Sequence, residues 1–262
     1  LDLRAWPSTT DPVASHVSST FPEGVSNISL LRPLRALAFA SHPDASPDGE
    51  LALRVLDHFG PDGYGDRRTY NDDAYALLAL RAVGFPSEDA RIQATRSHLL
   101  AAQRDDGGWG WTLGAPSGTD LTGLVVEALA ESGGVPDDNA SRARGFLTTT
   151  RSDFGFAEMP GLTPNCESTV WAMRATDRLG GRPRDDDWWF LLSLQLPDGG
   201  FSHLPRGPSD LLCTSEATAL LGDAHAGEID GPAMGRSGIP APSALLALAA
   251  VGGAATFWIR RP

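Results

Sequence analysis

The chain contains no lysine: all 21 basic residues are arginine, set against 33 acids, for a net charge of −12. Such an acidic balance excludes a nucleic-acid backbone as a partner, because phosphate contacts rest on cationic side chains. Arginine-only, acid-rich, Ala/Gly/Pro-rich usage fits a high-GC coding bias with adaptation to salt, and carries no chemistry of its own. Cysteine is scarce, limited to Cys166 and Cys213, and the six histidines are scattered without ligand spacing, so no metal site is written into the sequence. Strand-like alternation is missing throughout, which argues against sheets and for an all-α fold. No G-x-S-x-G elbow, Walker loop or dinucleotide fingerprint occurs, so no cofactor is implied.

What the chain does contain is a phrase written twice: Leu99-x3-Gln103-x3-Gly107-x-Trp109 and Leu191-x3-Gln195-x3-Gly199-x-Phe201. Each copy ends a helical segment on Gln and turns through an acid and paired glycines (Gly107 and Gly108, Gly199 and Gly200) onto an aromatic. Two degenerate copies end in Gly63-Tyr64 and Gly155-Phe156. The aromatics Tyr64, Trp109, Phe156 and Phe201 are spaced 45, 47 and 45 residues apart. A fixed period of about 46 residues marks stacked supersecondary units.

Each unit has an outer and an inner helix. Ser87 to Gln103 opens with Ser and two acids and keeps Ile92, Leu99 and Ala102 on one face, an amphipathic helix with an N-terminal cap signal. Leu121 to Ala130 is apolar almost all round, as a helix buried on every side must be. The same grammar predicts outer helices at Glu50 to Phe59, Asn139 to Thr149 and Asp185 to Gln195. It predicts inner helices at Ala74 to Val83, Ser168 to Leu179 and Thr214 to Leu221. With one further pairing starting at Ile28, the series forms a single repeat domain over residues 28–222. Hairpins of this kind bury their inner helices only by stacking side by side.

The L-x3-Q-x3-G-x-W phrase resembles the QW repeat of squalene and terpenoid cyclases, also read as the prenyltransferase and squalene oxidase repeat. The similarity runs from about Glu50 to Leu221; His58 and Thr150 stand where the degenerate copies would carry Gln. The resemblance implies an α/α toroid, with inner helices lining a central cavity. The helices are too few for closure, so the expected object is an incomplete, open toroid.

Lining up the inner helices produces a polar column at their starts: Asn71, Asp120 and Glu167, broken by Leu212, with Asp72 and Asp73 beside the first. In a toroid this column rims the cavity mouth. Acids at helix N-termini also cap free amides and complement the helix dipole, and that reading fits the positions equally directly. Asp185, Asp186 and Asp187 read as capping. Tyr64, Trp109, Phe156 and Phe201 read as buried plugs of the turns. Tyr75 and Trp171, on inner helices, are core residues or cavity lining, together with Asp120 and Glu167. Cys166 and Cys213, close to one repeat apart, are a candidate disulfide if the chain is exported, although the alignment offsets them by two positions.

The tools that the resemblance would require for chemistry are missing. Terpenoid cyclases that protonate their substrate carry an Asp-x-Asp-Asp motif, and Asn71-Asp72-Asp73 and Asp185-Asp186-Asp187 both miss its spacing. Zinc-dependent prenyltransferases need an Asp two residues before a ligating Cys; Pro164 and Leu211 occupy those positions. The thioester of complement-type toroids is also absent.

The chain ends suggest an address. Residues 1–27 form an irregular Pro/Ser/Thr-rich segment without a recognisable signal peptide. Residues 223–243 read as a Gly/Pro-rich linker, and residues 244–262 as a hydrophobic anchor closed by Arg260 and Arg261. That layout resembles archaeal and bacterial C-terminal sorting signals. The expectation is therefore a non-catalytic domain displayed on the outer face of the cell membrane, binding an unknown ligand or surface protein or serving the surface layer. The sequons at Asn27 and Asn139 are compatible with that address. The competing expectation is an isoprenoid cyclase or transferase using Asp72, Asp73 or Asp120 as a non-standard acid.

Overall fold

The computed structural model describes residues 31, 35, 38, 45–60, 63–65 and 68–227. The termini, and with them the linker beyond Gly227 and the expected anchor at 244–262, lie outside the described residues. Eight helices carry the described fold: α1 (Glu50–Leu56), α2 (Tyr70–Val83), α3 (Ala90–Ala101), α4 (Thr119–Glu131), α5 (Asp137–Thr150), α6 (Cys166–Arg178), α7 (Asp185–Ser193) and α8 (Leu211–Gly227). The extended pieces are two-residue strands, Phe59–Gly60 paired with Gly63–Tyr64 and Phe201–Ser202 paired with Ser209–Asp210, both antiparallel.

Helices α2, α4, α6 and α8 form the inner row, each packed on the next, while α1 and α3 lie against α2, α5 against α4 and α7 against α6. Contacts at both ends make the inner row parallel. Ser168 meets Asp120 at the starts of α6 and α4, and Arg178 meets Glu131 at their ends. The buried core of the inner row is built from apolar side chains, with Leu77, Leu78, Leu80, Leu121, Val125, Val126 and Val170 fully buried. Helices α4 and α6 approach so closely that a Cβ at Gly123 would lie 2.5 Å from the Trp171 carbonyl oxygen.

The turns are held the same way in every unit. The backbone N–H of Trp109, Phe156 and Phe201 donates to the hydroxyls of Thr122, Thr169 and Thr214 at 3.0, 3.0 and 2.8 Å; in the first unit Tyr64 N–H donates instead to the Asp73 carboxylate at 2.7 Å. The indole N–H of Trp109 also donates to Leu99 O, closing the turn on its own outer helix. Gln103 donates to Gly107 O and Asn139 O and accepts from the Asn139 amide, stapling the turn to α5. The Asn139 side chain is therefore engaged inside the fold. Gln195 repeats only the contact to Gly199 O, at 3.4 Å. Gly107 sits at φ +90°, and a Cβ there would strike Arg142 O, so this turn requires glycine.

A second regularity sets the inner-helix starts. The residue two past Trp109, Phe156 and Phe201 turns its carbonyl onto the first N–H of the preceding inner helix. Trp111 O receives Tyr70 N–H, Glu158 O receives Thr119 N–H and His203 O receives Cys166 N–H, at 2.9–3.1 Å. Free amides at helix starts demand acceptors, and these carbonyls explain why α2, α4 and α6 begin ahead of their apolar runs. At the other end, Glu127 is fully buried and pairs with Arg174 and Arg35, while Arg174 also pairs with Asp223. That ion pair carries α8 on through Asp223 to Gly227, where a linker was expected from residue 223.

Candidate functional site

The four positions of the polar column are in register in space as well as in sequence. Asn71, Asp120, Glu167 and Leu212 each stand two residues before the side chain that receives the turn's N–H. Their surroundings differ, and the differences decide what each can do.

Asp120 lies in the first turn of α4 with 8% of its surface exposed. Ser168 Oγ, at the start of α6, donates to its Oδ1 at 2.5 Å. Asn165 Oδ1 accepts Ser168 N–H, and the Asn165 amide N–H donates to Ser168 Oγ at 2.9 Å, which holds the hydroxyl against Asp120. The other neighbours are carboxylates. Glu158 is brought over the start of α4 because Thr119 binds its loop twice, through N–H to Glu158 O at 2.9 Å and hydroxyl to Ala157 O at 2.6 Å. The Glu158 side chain occupies the space a Cβ at Gly118 would need, and its Oε2 stands 3.4 Å from Asp120 N and 3.5 Å from Ser168 Oγ. Glu167 approaches from α6.

Burial first, then the Glu158 carboxylate and the charge of Glu167, push the Asp120 pKa up to about 9, against the pull of Ser168. At neutral pH burial and the neighbouring carboxylates keep Asp120 protonated. An acid held neutral in a dry site is a proton donor to a weakly basic group.

Asp73 has a different job. It is fully buried, accepts Tyr64 N–H on Oδ1 and meets His98 Nδ1 on Oδ2 at 2.9 Å. Burial raises its pKa to about 6, with the Tyr64 bond and His98 pulling it down. It does for the first turn what threonine hydroxyls do for the others, which makes it structural. Asp72 is half-buried and accepts from Thr69. Tyr75 and Trp171 are each 7% exposed, inside the inner row. Asp187 accepts Arg184 N–H at 2.9 Å as a cap and pairs with Arg151.

Cys166 and Cys213 are buried free thiols, which corrects the candidate disulfide. The two-position offset sets Cys166 Sγ against the Cys213 carbonyl oxygen, at 3.8 Å, instead of aligning sulfur with sulfur. The Cys213 thiol is pushed up by Cys166 and by burial, and lies 3.5 Å from His203 Nδ1. Among the described residues no group of side chains is arranged to hold a metal ion, and no helix is long and apolar enough to cross a membrane.

Sequence reasoning reached Asp120 and Glu167 but missed Glu158, Ser168 and Asn165. A signal was available: two residues past Trp109, Phe156 and Phe201, the residues Trp111, Glu158 and His203 fall in register, and of these three only Glu158 is a carboxylate. The loops at this end also carry exposed apolar side chains, Trp111, Leu113, Met159, Leu162, Leu204 and Leu211. A separate cavity of about 210 Å³, lined by Arg144, Leu147, Arg151, Phe156 and Leu179 among others, contains none of the Asp120 cluster.

An open row of parallel inner helices with outer helices behind it is the α/α toroid architecture of type II terpene cyclases and protein prenyltransferases. The ligand-free type II terpene cyclase MstE from Scytonema superposes with a TM-score of 0.54 at 18% identity, over 89% of this chain and 70% of that one. Protein geranylgeranyltransferase-I of Candida albicans complexed with GGPP superposes at 0.56 and 14% identity, over 73% of this chain and 65% of that one. In sequence the chain is similar to drimenyl diphosphate synthases: 32% identical over 223 residues to that of Streptomyces showdoensis, covering 79% of this chain and 34% of the relative. A second, from Streptantibioticus cattleyicolor, is 30% identical over 202 residues, covering 71% and 36%. The chain thus spans about a third of the length of the curated relatives it matches. No family model matches it.

These relatives correct the expected function and its partner. A non-catalytic surface domain with a surface-protein or unknown ligand gives way to the isoprenoid reading, because the similar sequences are named drimenyl diphosphate synthases.

Proposed function

We propose that this chain serves a protonation-initiated isoprenoid cyclisation, with Asp120 as the general acid. The observation that carries the reading is Asp120 itself: a buried carboxyl, flanked by two other carboxylates, with a pKa of about 9. An alkene is a very weak base, so it takes a proton only from an acid that is desolvated, aimed and still protonated at working pH. Asp120 is desolvated and held protonated at neutral pH, with Ser168 bonded to one of its oxygens. The apolar loop residues around the mouth suit a hydrocarbon chain, and the absence of arginine from the groups acting on Asp120 leaves its proton in place. By analogy with the named relatives, the substrate is a linear isoprenoid diphosphate whose diphosphate is retained in a cyclic product.

The test is incubation of the full chain with geranyl, farnesyl and geranylgeranyl diphosphates in deuterated buffer. The expected product is cyclic, keeps its diphosphate and carries one solvent-derived deuterium. Asp120→Asn should lower its formation by about a thousandfold or more. Absence of any cyclic product from the unmodified chain, or full activity in Asp120→Asn, would sink the proposal.

A further inference from the structure

We propose that the cavity of about 210 Å³ between α5 and the end of α6 is a second binding site, built for a small carboxylate on a compact apolar body such as an aromatic ring. It lies at the opposite end of α6 from Ser168 and is independent of the role given to Asp120. Its origin shows by comparison with the preceding unit. The Thr122 and Thr169 hydroxyls hold their turns alike, and on that register Trp109, Leu129 and Ser132 become Phe156, Thr176 and Leu179. Trp109 and Leu129 are fully buried. The smaller Phe156 and Thr176 at their places leave unfilled space, and both line the cavity.

The polar groups change on the same register. In the earlier unit Arg96 is spent on three acceptors, Leu129 O, Ser132 Oγ and Gly134 O. Its counterpart Arg144 bonds Leu179 O, the serine hydroxyl having given way to leucine, and meets no carboxylate among the described residues. The Gln103–Asn139 staple becomes the Arg151–Asp187 ion pair. Arg151 Nε is left buried without an acceptor, and its guanidinium carbon lies 4.8 Å over the Phe156 ring. The Thr148 and Thr176 hydroxyls donate to their own helices, at Arg144 O and Ala172 O. Asp187 offsets one of the two guanidiniums, so one positive charge and spare N–H donors remain, with no acid in the lining. A cation is repelled there, whereas a monoanion finds the paired donors that guanidinium offers a carboxylate. Leu147, Leu179 and Phe156 supply the apolar wall, and Arg144 and Thr148 stand at the exposed rim. A cavity of roughly 150 Å³ accepts benzene, so this one has room for a ring bearing a carboxylate.

Benzoate is the probe and benzamide its neutral counterpart, titrated into the full chain by calorimetry and by amide NMR. Benzoate should bind with a dissociation constant of about 0.1–1 mM and shift the amide signals of Leu147, Phe156 and Leu179. Benzamide should bind about tenfold more weakly or worse, and Arg144→Gln should weaken benzoate by about the same factor. Thr176→Leu restores the leucine of the preceding unit, and should abolish binding by filling the cavity. No benzoate binding at about 10 mM overturns the proposal. So does equal binding of benzamide, or benzoate binding unchanged in Arg144→Gln. Benzoate binding that survives Thr176→Leu would mean pairing with an exposed arginine outside the cavity, and refutes the site. Should Thr176→Leu disturb the fold, as its Tm would show, the benzamide and Arg144→Gln comparisons decide. None of these outcomes depends on turnover, so a failed cyclisation assay leaves the cavity to be judged by binding alone.

Discussion

Replacing Asp120 by Asn should remove the pH dependence that this one residue imposes on stability. Asn keeps the shape: its Oδ1 accepts from Ser168 as the acid does, and its N–H stands in for the acid's O–H, but it cannot ionise. In the folded chain Asp120 titrates near 9, against 3.8 for the ordinary carboxyl. Because the folded value is raised, the native state holds a proton that the unfolded state has released anywhere between those limits. The stabilising contribution is complete below the unfolded value and is lost steadily as pH rises toward the folded one. Each pH unit in that window removes ~1.4 kcal/mol from the parent relative to the variant. From about pH 5 to about pH 8 the difference amounts to ~4 kcal/mol. At roughly 2–4 °C per kcal/mol, Tm of the parent should fall about 8–16 °C further than that of Asp120→Asn. Thermal unfolding followed by circular dichroism over that range measures it directly. Other titrating groups, Asp73 included, are common to both proteins and cancel in the difference. Parallel Tm curves would mean that Asp120 is not a buried neutral acid, and the catalytic reading would fall with it.

Two further substitutions probe the scaffold. Gly123→Ala places a methyl group 2.5 Å from the Trp171 carbonyl oxygen; the backbone contact cannot yield as a side chain would, so despite better helix propensity the change should cost about 3 kcal/mol, measured by denaturant unfolding. Glu127→Ala leaves Arg174 and Arg35 facing an empty, buried site, and should cost about 3–5 kcal/mol by the same assay, with no change if the pair is dispensable.

The period, the helix types and the open toroid were legible because they depend on local signals repeated four times: a Gly-rich stop, a buried aromatic and an apolar inner run. The acid was only half legible. Asp120 stood out by its place in a column, yet the same column includes Asn71 and Leu212, and nothing in a single helix start separates a cap from a proton donor. The distinction lies in contacts between units. Glu158 comes from the turn of the next unit, Ser168 from the next inner helix, and both reach Asp120 only when α4 and α6 pack in parallel. The threonine at 122, 169 and 214 was visible throughout, but its meaning required the aromatic N–H to be found opposite it.

How one cap position became an acid follows from comparing magnitudes. A carboxylate in the first turn of a helix gains about 0.3–1 kcal/mol from the dipole, less than one pKa unit of lowering. At Asp120 that gain is overwhelmed by burial and by two like charges, and the pKa moves from 3.8 to about 9. At Asp73 burial is as complete, but His98 and the Tyr64 amide favour the anion, and the result is about 6. The protonated state of Asp120 therefore comes first from burial and then from the carboxylates stacked beside it, with Glu158 ahead of Glu167. Removing them singly should reproduce that order. Glu167→Gln should lower the Asp120 pKa by less than Glu158→Gln does, and both should leave it above 3.8 because burial contributes most. Carbon-13 titration of labelled aspartate reads both variants. A larger fall in Glu167→Gln would mean that the charge on α6, and not the loop carboxylate over Gly118, is what keeps the proton on Asp120.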